Sequence, residues 1–275
     1  MRYPACDTLT GMRSVDDLIG DRPLTARSVL ASALLGADEP RLPVAALIAV
    51  ASLFGISAGA TRTCLWRMVS SGELVSDDGS YALTGHLLDR RHRVDDAAHP
   101  ETTARRWNGQ WELAVVSRER RSAADRVALR KAAAALHLAE IKEGVWIRPD
   151  NLDPDRSPEL RAILDGQCVH FRAADSDIDV DMVRSIFGLD AWARDARRLI
   201  AAMDDELNRA TTPGATANFR NQFALAVAVV RHLQLDPLLP VPLMPEDWPA
   251  TSLRRTYHRF DDAFKRRMNA AFRLL

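Results

Sequence analysis

The stretch from Gly55 to Gly72 constrains the fold of this chain more than any other. Its pattern predicts a helix that is joined to a preceding helix by a short turn. Gly55 stands where the earlier helical pattern needs a residue in the left-handed conformation, and Ser57 is a preferred helix N-cap two positions later. The side chains that follow fall on two faces at helical spacing, one expected to pack inward and one to be exposed. The inward face holds Ile56, Thr61, Leu65 and Met68, and the outward face holds Arg62, Thr63, Trp66 and Arg67.

The outward face carries two arginines and a hydroxyl group but no acid. The second helix of a helix-turn-helix needs such a face, because one side grips the first helix while the other enters a DNA major groove. An ordinary amphipathic helix in a bundle shows the same spacing, and a tryptophan on it is more often a packing residue than a DNA contact. The candidate DNA-binding residues are Ser57, Arg62, Thr63, Trp66 and Arg67.

Two short β-prone runs follow Gly72 and flank a turn signal, Asp77-Asp78-Gly79, which predicts a β-hairpin. A hairpin directly behind such a helix is the wing of a winged helix, and the combination is more specific than either part. This tip would repel phosphates, because it carries aspartates where arginines would grip them. Further on, Arg90-Arg91-His92-Arg93 could touch backbone phosphates or form the solvated face of a linker helix.

The next segment is polar, contains Pro100 and reads as a linker. Trp111, Leu113 and Val115 then alternate with less apolar residues, which predicts a half-buried strand. The patterns that follow give the order β-α-β-(short helix)-β-α. This order fits a ferredoxin-like α+β domain in which one further strand is not placed.

The remaining chain is helical apart from a proline-rich segment, Asp236–Pro249. Its five prolines forbid a continuous helix. The segment is nevertheless too apolar for a free linker. We therefore expect an extended strap pinned onto the helices by Leu238, Leu239, Leu243 and Trp248.

Together these patterns predict an α+β, mostly helical protein built from an N-terminal winged helix-turn-helix, a ferredoxin-like middle domain and a C-terminal helical domain. The predicted parts are a flexible N-terminal arm at residues 1–20, the winged-helix DNA-binding domain at 21–95, a linker at 96–106, the ferredoxin-like domain at 107–190, and the helical domain with its proline strap at 191–275.

Composition narrows the classes of function. The 37 basic and 37 acidic side chains balance, so DNA contact would come from a local patch, unlike that of a histone-like protein. Cys6, Cys64 and Cys168 have no metal spacing and read as reduced structural cysteines. No apolar run approaches the length of a membrane span and no signal-peptide pattern is present, so we predict a cytoplasmic protein. No catalytic or metal site and no cofactor are predicted, since the chain has neither a metal-ligand cluster nor a phosphate loop nor a nucleophile elbow.

The chain resembles the PaaX-like transcriptional repressors of phenylacetic acid catabolism from about residue 24 to its end. The proline strap together with the pair Trp107 and Trp111 makes this resemblance specific. The helix-turn-helix alone would not be specific. The segments that carry it are Gly55-Ile56-Ser57 with Arg62-Thr63 and Arg67-Met68, then Trp107–Trp111, Glu143–Pro149, Asp236–Pro240 and Leu243–Pro249.

The resemblance implies a homodimeric repressor that binds a partly palindromic operator and is released by an acyl-CoA effector, phenylacetyl-CoA in the best-known members. It also implies a middle domain with the fold of a CRISPR-associated nuclease, and a C-terminal domain that helps bind the effector. The chain departs from the family in two places. Its wing is acidic, and Ser117-Arg118-Glu119-Arg120 replaces an acidic, proline-containing turn, so nuclease catalysis is not carried over.

A CoA thioester carries phosphates and an apolar acyl group, so its pocket should combine arginines with aromatic side chains. Surface ion pairing and core packing are the competing explanations for each candidate. Two other functions stay open: a nucleic-acid-processing enzyme with a nuclease-like middle domain, and an effector-independent DNA-binding protein. The candidate effector-binding residues are Trp146, Arg148, Arg220, Arg231, Tyr257 and His258.

Overall fold

The computed structural model describes residues 25–99, 104–174, 178–210 and 219–272. The arm predicted at residues 1–20 lies outside these ranges. The fold is α+β and mostly helical with two antiparallel sheets, which confirms the predicted class. Within the described ranges, no helix combines the length and the apolarity of a membrane span.

The N-terminal part consists of three helices, a β-hairpin and a fourth helix, which is the element order of a winged helix. A third short strand, β1, ends at Pro43, pairs antiparallel with β3 and was not predicted. The elements are α1 (Ala26–Gly36), β1 (Arg41–Pro43), α2 (Val44–Ser52), α3 (Ala58–Ser70), β2 (Leu74–Asp77), β3 (Ser80–Leu83) and α4 (Gly85–Ala98).

One apolar core holds these elements together. Leu30 and Leu34 of α1 meet Leu47 of α2 and Leu65 of α3, and all four side chains are fully buried. Each buried leucine of this kind contributes about 2 kcal/mol of transfer free energy. The position of α3 is therefore set by its packing on α1 and α2.

The middle part is a four-stranded sheet with the strand order β5-β6-β4-β7 in which every neighbouring pair is antiparallel. This is the ferredoxin-like arrangement that was predicted, and β5 is the strand that sequence patterns could not place. The elements are β4 (Trp111–Val116), α5 (Ala123–Ala135), β5 (Ala139–Lys142), β6 (Val145–Pro149), α6 (Pro158–Asp165), β7 (Cys168–Ala173) and α7 (Val180–Ile186).

Strand β4 is covered on both faces. The prediction of a half-buried strand from its alternating pattern was therefore wrong. Ala114 packs with Leu129 of α5 in the core on one side of the sheet. Trp111 packs with Ile147 on the other side, in a core completed by Leu239. The alternation misled because the carboxylate of Glu112 is held by Arg161 of α6, which lets a charged residue occupy a covered position.

The C-terminal part contains α8 (Leu189–Ala210), α9 (Phe219–Leu233) and α10 (Ala250–Phe272). Gly188, with φ of 62°, separates α8 from α7. Between α9 and α10 the proline strap holds only a single 3-10 turn, as its prolines predict. The strap packs on the middle sheet through Leu239 and Leu243, and not only on helices as expected.

The described residues group into two compact units. The first contains His99–Arg197 and His232–Thr251, which are the ferredoxin-like part, the start of α8 and the strap. The second contains residues 25–98, 198–210, 219–231 and 252–272, which are the N-terminal part and most of α8, α9 and α10. Within this unit the C-terminal helices share a core with the N-terminal part, because Phe223 and Phe264 pack with Val29 and Val50.

Candidate nucleic-acid interface

The turn between α2 and α3 has the geometry that the sequence predicts. Gly55 has φ of 73°, and the Ile56 N–H returns to the Ala51 carbonyl at 3.2 Å, which closes the end of α2. Ser57 is the N-cap of α3, and its hydroxyl accepts a hydrogen bond from the Ala60 N–H at 3.2 Å. A left-handed glycine followed by a serine cap fixes the direction in which α3 leaves the turn.

The two faces of α3 are those predicted. Thr61 and Leu65 are fully buried, and the Thr61 hydroxyl donates to the Ser57 carbonyl at 3.0 Å. On the other face Arg62, Thr63 and Arg67 are exposed. Trp66 is also exposed, with 68% of its surface accessible, so it does not serve as a packing residue. At this exposure the indole ring is available for contact with another molecule.

The exposed face of α3 is cationic. The helix contains no acidic residue. Among the described residues, neither the Arg62 nor the Arg67 guanidinium forms an ion pair or a hydrogen bond. Glu73, which follows the helix, is already bound by Arg27 of α1, with Nε of Arg27 at 2.9 Å from Oε2 of Glu73. The two arginines of α3 therefore present unpaired charge to solvent.

The wing tip differs in charge from this face. Asp78 and Gly79 both have positive φ, 43° and 70°, as a tight hairpin turn of the mirror-image type requires. Asp77 forms an exposed ion pair with Arg41 at 2.9 Å, so the unpredicted strand β1 offsets one of the two acids. The tip keeps the negative charge of Asp78 and supplies no cation of its own.

Two arginines of the basic run on α4, Arg90 and Arg91, have different surroundings. Arg91 binds Asp95 at 2.8 Å and the Leu35 carbonyl at 3.2 Å, so it fastens α4 to the end of α1. Arg90 lines a cavity of about 250 Å³ within the same unit. Neither arginine is a solvated linker side chain, and this position of Arg90 was missed because the run was interpreted as a surface feature.

The six candidate effector residues are divided between the two units. Trp146, 5% exposed, packs in the core of the middle part beneath Leu129 and Leu164. Arg148 lies in the same unit and lines a polar cavity of about 580 Å³. Arg220 and His258 are exposed on α9 and α10. Arg231 and Tyr257 alone are brought together, on the wall of the cavity that Arg90 lines.

Arg148 has structural partners. Its guanidinium donates to the carbonyls of Pro149 and Leu136 and to Oδ1 of Asn151, at 2.8 to 2.9 Å. Burial lowers the pKa of Arg148 to about 9. Asn151 in turn donates to the Leu238 carbonyl at 2.9 Å, so this buried arginine ties the sheet to the strap. These contacts explain the residue without an effector.

The end of β4, where a nuclease-like fold would place an acid, is followed by Ser117 and Arg118. Across the described ranges, no group of three or more His, Cys, Asp or Glu side chains could hold a metal ion. Cys64 and Cys168 are unpaired, and burial raises the pKa of both thiols, which makes them poor nucleophiles. Cys6 lies outside the described residues.

Comparison with known proteins assigns the class of the chain in the same three parts. Residues 25–87 match the description "PaaX-like protein", residues 104–181 match "PaaX protein central Cas2-like domain", and residues 187–273 match "PaaX-like protein C-terminal domain". A solved structure of the uncharacterized protein Rv0674 from Mycobacterium tuberculosis is 36% identical over 90% of this chain and 98% of its own, with a TM-score of 0.67. No curated protein matches the chain.

The three matches together cover most of the chain and support a transcriptional regulator. The chain belongs to the PaaX-like family, which is known for regulators of phenylacetic acid catabolism.

Proposed function

We propose that the chain is a DNA-binding repressor of a catabolic operon that reads its operator through the exposed face of α3. The observation that carries this proposal is the pairing of two solvent-facing arginines with an open tryptophan on a helix that is packed, on its other side, against α1 and α2. A helix held in this way can enter a major groove without disturbing its own core.

Each residue on this face has a chemical role in the proposal. Arg62 and Arg67 bind guanine edges or phosphates, where a good bidentate contact is worth about 1–3 kcal/mol. Thr63 contacts a base or a phosphate beside them. The N-terminus of α3, at Ser57, offers backbone N–H groups to a phosphate. Trp66 supplies apolar contact to a thymine methyl group or to a sugar.

The proposal includes a homodimer, because one face of this size gives limited affinity. The chain as a whole has no net charge, so general attraction to DNA adds little. Two copies that bind two half-sites about one helical turn apart, or a multiple of it, combine their affinities on a partly palindromic operator.

The proposal also includes release by a CoA thioester such as phenylacetyl-CoA. A ligand releases a regulator from DNA only by the difference between its affinities for the bound and the released states. A coupling of about 1–3 kcal/mol, which is usual for such proteins, would lower operator affinity by roughly 5- to 150-fold.

Fluorescence anisotropy with labelled DNA from upstream of the protein's own operon tests both parts. The protein should bind this DNA in preference to a scrambled duplex of equal length, and one thioester of a panel should release it. Equal affinity for both duplexes would contradict operator recognition. Specific binding that no thioester changes would identify an effector-independent DNA-binding protein instead.

The nuclease alternative is tested in the same samples. Because Ser117 and Arg118 stand at the strand end, we expect the duplex to stay intact after incubation with Mg²⁺ or Mn²⁺. Metal-dependent cleavage would revive an enzymatic function for the middle domain.

A further inference from the structure

A cavity of about 250 Å³ lies within the unit that contains the winged helix. Its wall is formed by α1, α2, α4, α9 and α10. Most of this wall is apolar, which is typical of sites for small organic ligands. The apolar side chains include Ala33, Leu35, Val94, Phe223, Val227 and Met268.

Three polar groups on this wall have no partner in the part of the chain that the structure describes. Neither the Arg90 nor the Arg231 guanidinium forms an ion pair or a hydrogen bond with a described residue, and the Tyr257 hydroxyl forms no hydrogen bond with one. Burial lowers the pKa of Arg90, and the positive charge of Arg231, which lines the same cavity, lowers it further. Arg90 is partly buried, and an unpaired cation in such a position is costly unless an anion joins it, whereas Arg231 is exposed.

The other charged groups on the wall are already satisfied. Lys265 binds Asp38 at 2.6 Å and Asp261 at 2.9 Å. The wall thus holds three cationic and two anionic side chains, and both anionic side chains form ion pairs with Lys265. An anionic ligand would meet Arg90 and Arg231 without first displacing a carboxylate.

We infer that this cavity binds a small organic anion made of about one aromatic ring, or an aliphatic group of similar size, joined to a short acidic or thioester arm. A cavity of about 150 Å³ holds one benzene molecule, so 250 Å³ has room for a ring and a two- or three-atom arm. The ring lies against Phe223 and Val227, and the anionic end lies between Arg90 and Arg231, where Tyr257 donates a hydrogen bond. A free carboxylate brings its negative charge to this end, whereas the acyl end of a CoA thioester is neutral there and brings a carbonyl oxygen that accepts hydrogen bonds from the same donors.

The cavity also touches the support of the DNA-binding helix. Ser32, Ala33 and Gly36 of α1 line it, while Leu30 and Leu34, on another side of the same helix, pack against α3. A ligand here contacts the helix on which α3 rests. This inference rests on the proposed function. It places the effector that releases the protein from DNA in the same unit as the DNA-binding helix α3.

Isothermal titration calorimetry on the full chain, with phenylacetate and phenylacetyl-CoA as separate probes, tests the site. Benzyl alcohol serves as the uncharged probe. We expect at least one anionic probe to bind and benzyl alcohol to bind at least tenfold more weakly. The variants are Val227→Trp, which fills the cavity, and Arg231→Gln, which removes one cation. The matched control is Arg220→Gln, an exposed arginine on the same helix that does not line the cavity.

Val227→Trp and Arg231→Gln should each weaken the anionic probe at least tenfold, and Arg220→Gln should leave its affinity within twofold of the wild type. Thermal unfolding shows whether Val227→Trp folds; if it does not, Arg231→Gln alone decides, since that side chain is exposed and its loss leaves the core intact. Wild-type affinity in Arg231→Gln, or no binding of either anionic probe to the wild type, would overturn the site. Ligand binding that is lost in the variants while DNA binding ignores the ligand would support the site and refute the proposed release.

Discussion

The ion pair between Arg27 and Glu73 fastens the start of α1 to the residue that follows α3, and its removal gives a quantitative test of how α3 is held. Nε of Arg27 lies 2.9 Å from Oε2 of Glu73, and Nη2 lies 2.5 Å from Oε1. The Glu73 side chain is 11% exposed and that of Arg27 is 51% exposed. His86 lies 3.6 Å from the same carboxylate.

Substitution of Glu73 by Gln keeps the shape of the side chain and removes its charge. A hydrogen bond to a charged group contributes about 1.5–3 kcal/mol. Because Arg27 is half exposed and can be hydrated in the variant, we expect a loss around the lower limit of this range, about 1–2 kcal/mol in the free energy of unfolding at pH 7. The matched control is Asp77→Asn, which breaks the exposed pair with Arg41 and should cost at most about 0.5 kcal/mol.

The pH dependence of this loss has a definite sign. The hydrogen bond from Arg27 lowers the pKa of Glu73 below its ordinary value of 4.5. The stabilisation is therefore fully present above pH 4.5 and is lost as the pH falls through the lower pKa of the folded state. Urea denaturation of wild type and Glu73→Gln at pH 7 and at steps below pH 4.5 should show a difference that shrinks with acidification. Equal stability at pH 7, or a difference that grows as the pH falls, would refute the reasoning.

Two further predictions concern the faces of α3 and the wing. Leu65→Ala should lower the free energy of unfolding by about 2–5 kcal/mol, because the side chain is fully buried, whereas Trp66→Ala should change it by about 0.5 kcal/mol or less. Comparable losses in urea denaturation would show that the faces are misassigned. Asp78→Asn keeps a residue that tolerates positive φ and removes one negative charge, so DNA affinity at low salt should rise by up to about fivefold and the gain should fade as salt is added. An unchanged affinity in an anisotropy titration would place the wing away from the DNA backbone.

Local chemistry explains why the helix-turn-helix could be predicted in detail. A left-handed Gly55 and the Ser57 cap depend on neighbours within a few residues, and the burial of Thr61 and Leu65 follows from helical spacing. Strand β1 could not be predicted in this way, because three residues that end in a proline become a strand only by pairing with β3. Strand β5 could not be predicted for the same reason. Ala139–Lys142 has little hydrophobic alternation of its own and becomes a strand by pairing with β6.

The cavity lined by Arg90 and Arg231 shows which features of the molecule could not be predicted from the sequence. Arg231 and Tyr257 were chosen for their chemical type and do line the cavity, but the same criterion selected Arg148, which binds carbonyl groups of its own domain. Arg90 was missed, although Arg90 and Val94 lie one helical turn apart on α4 and both line the wall. Which face of a polar helix meets a cavity depends on α9 and α10, more than a hundred residues away, and no local pattern specifies it.

The most direct measurement is the operator affinity of the double variant Arg62→Ala/Arg67→Ala, determined by fluorescence anisotropy. Its matched control is Arg126→Ala/Arg130→Ala, which removes two exposed arginines from α5 and changes the net charge equally. The account predicts that the first variant loses at least thirtyfold in affinity, from about 1–3 kcal/mol for each arginine, while keeping the unfolding midpoint of the wild type, and that the control stays within about threefold. Wild-type affinity in Arg62→Ala/Arg67→Ala, or an equal loss in both variants, would contradict it.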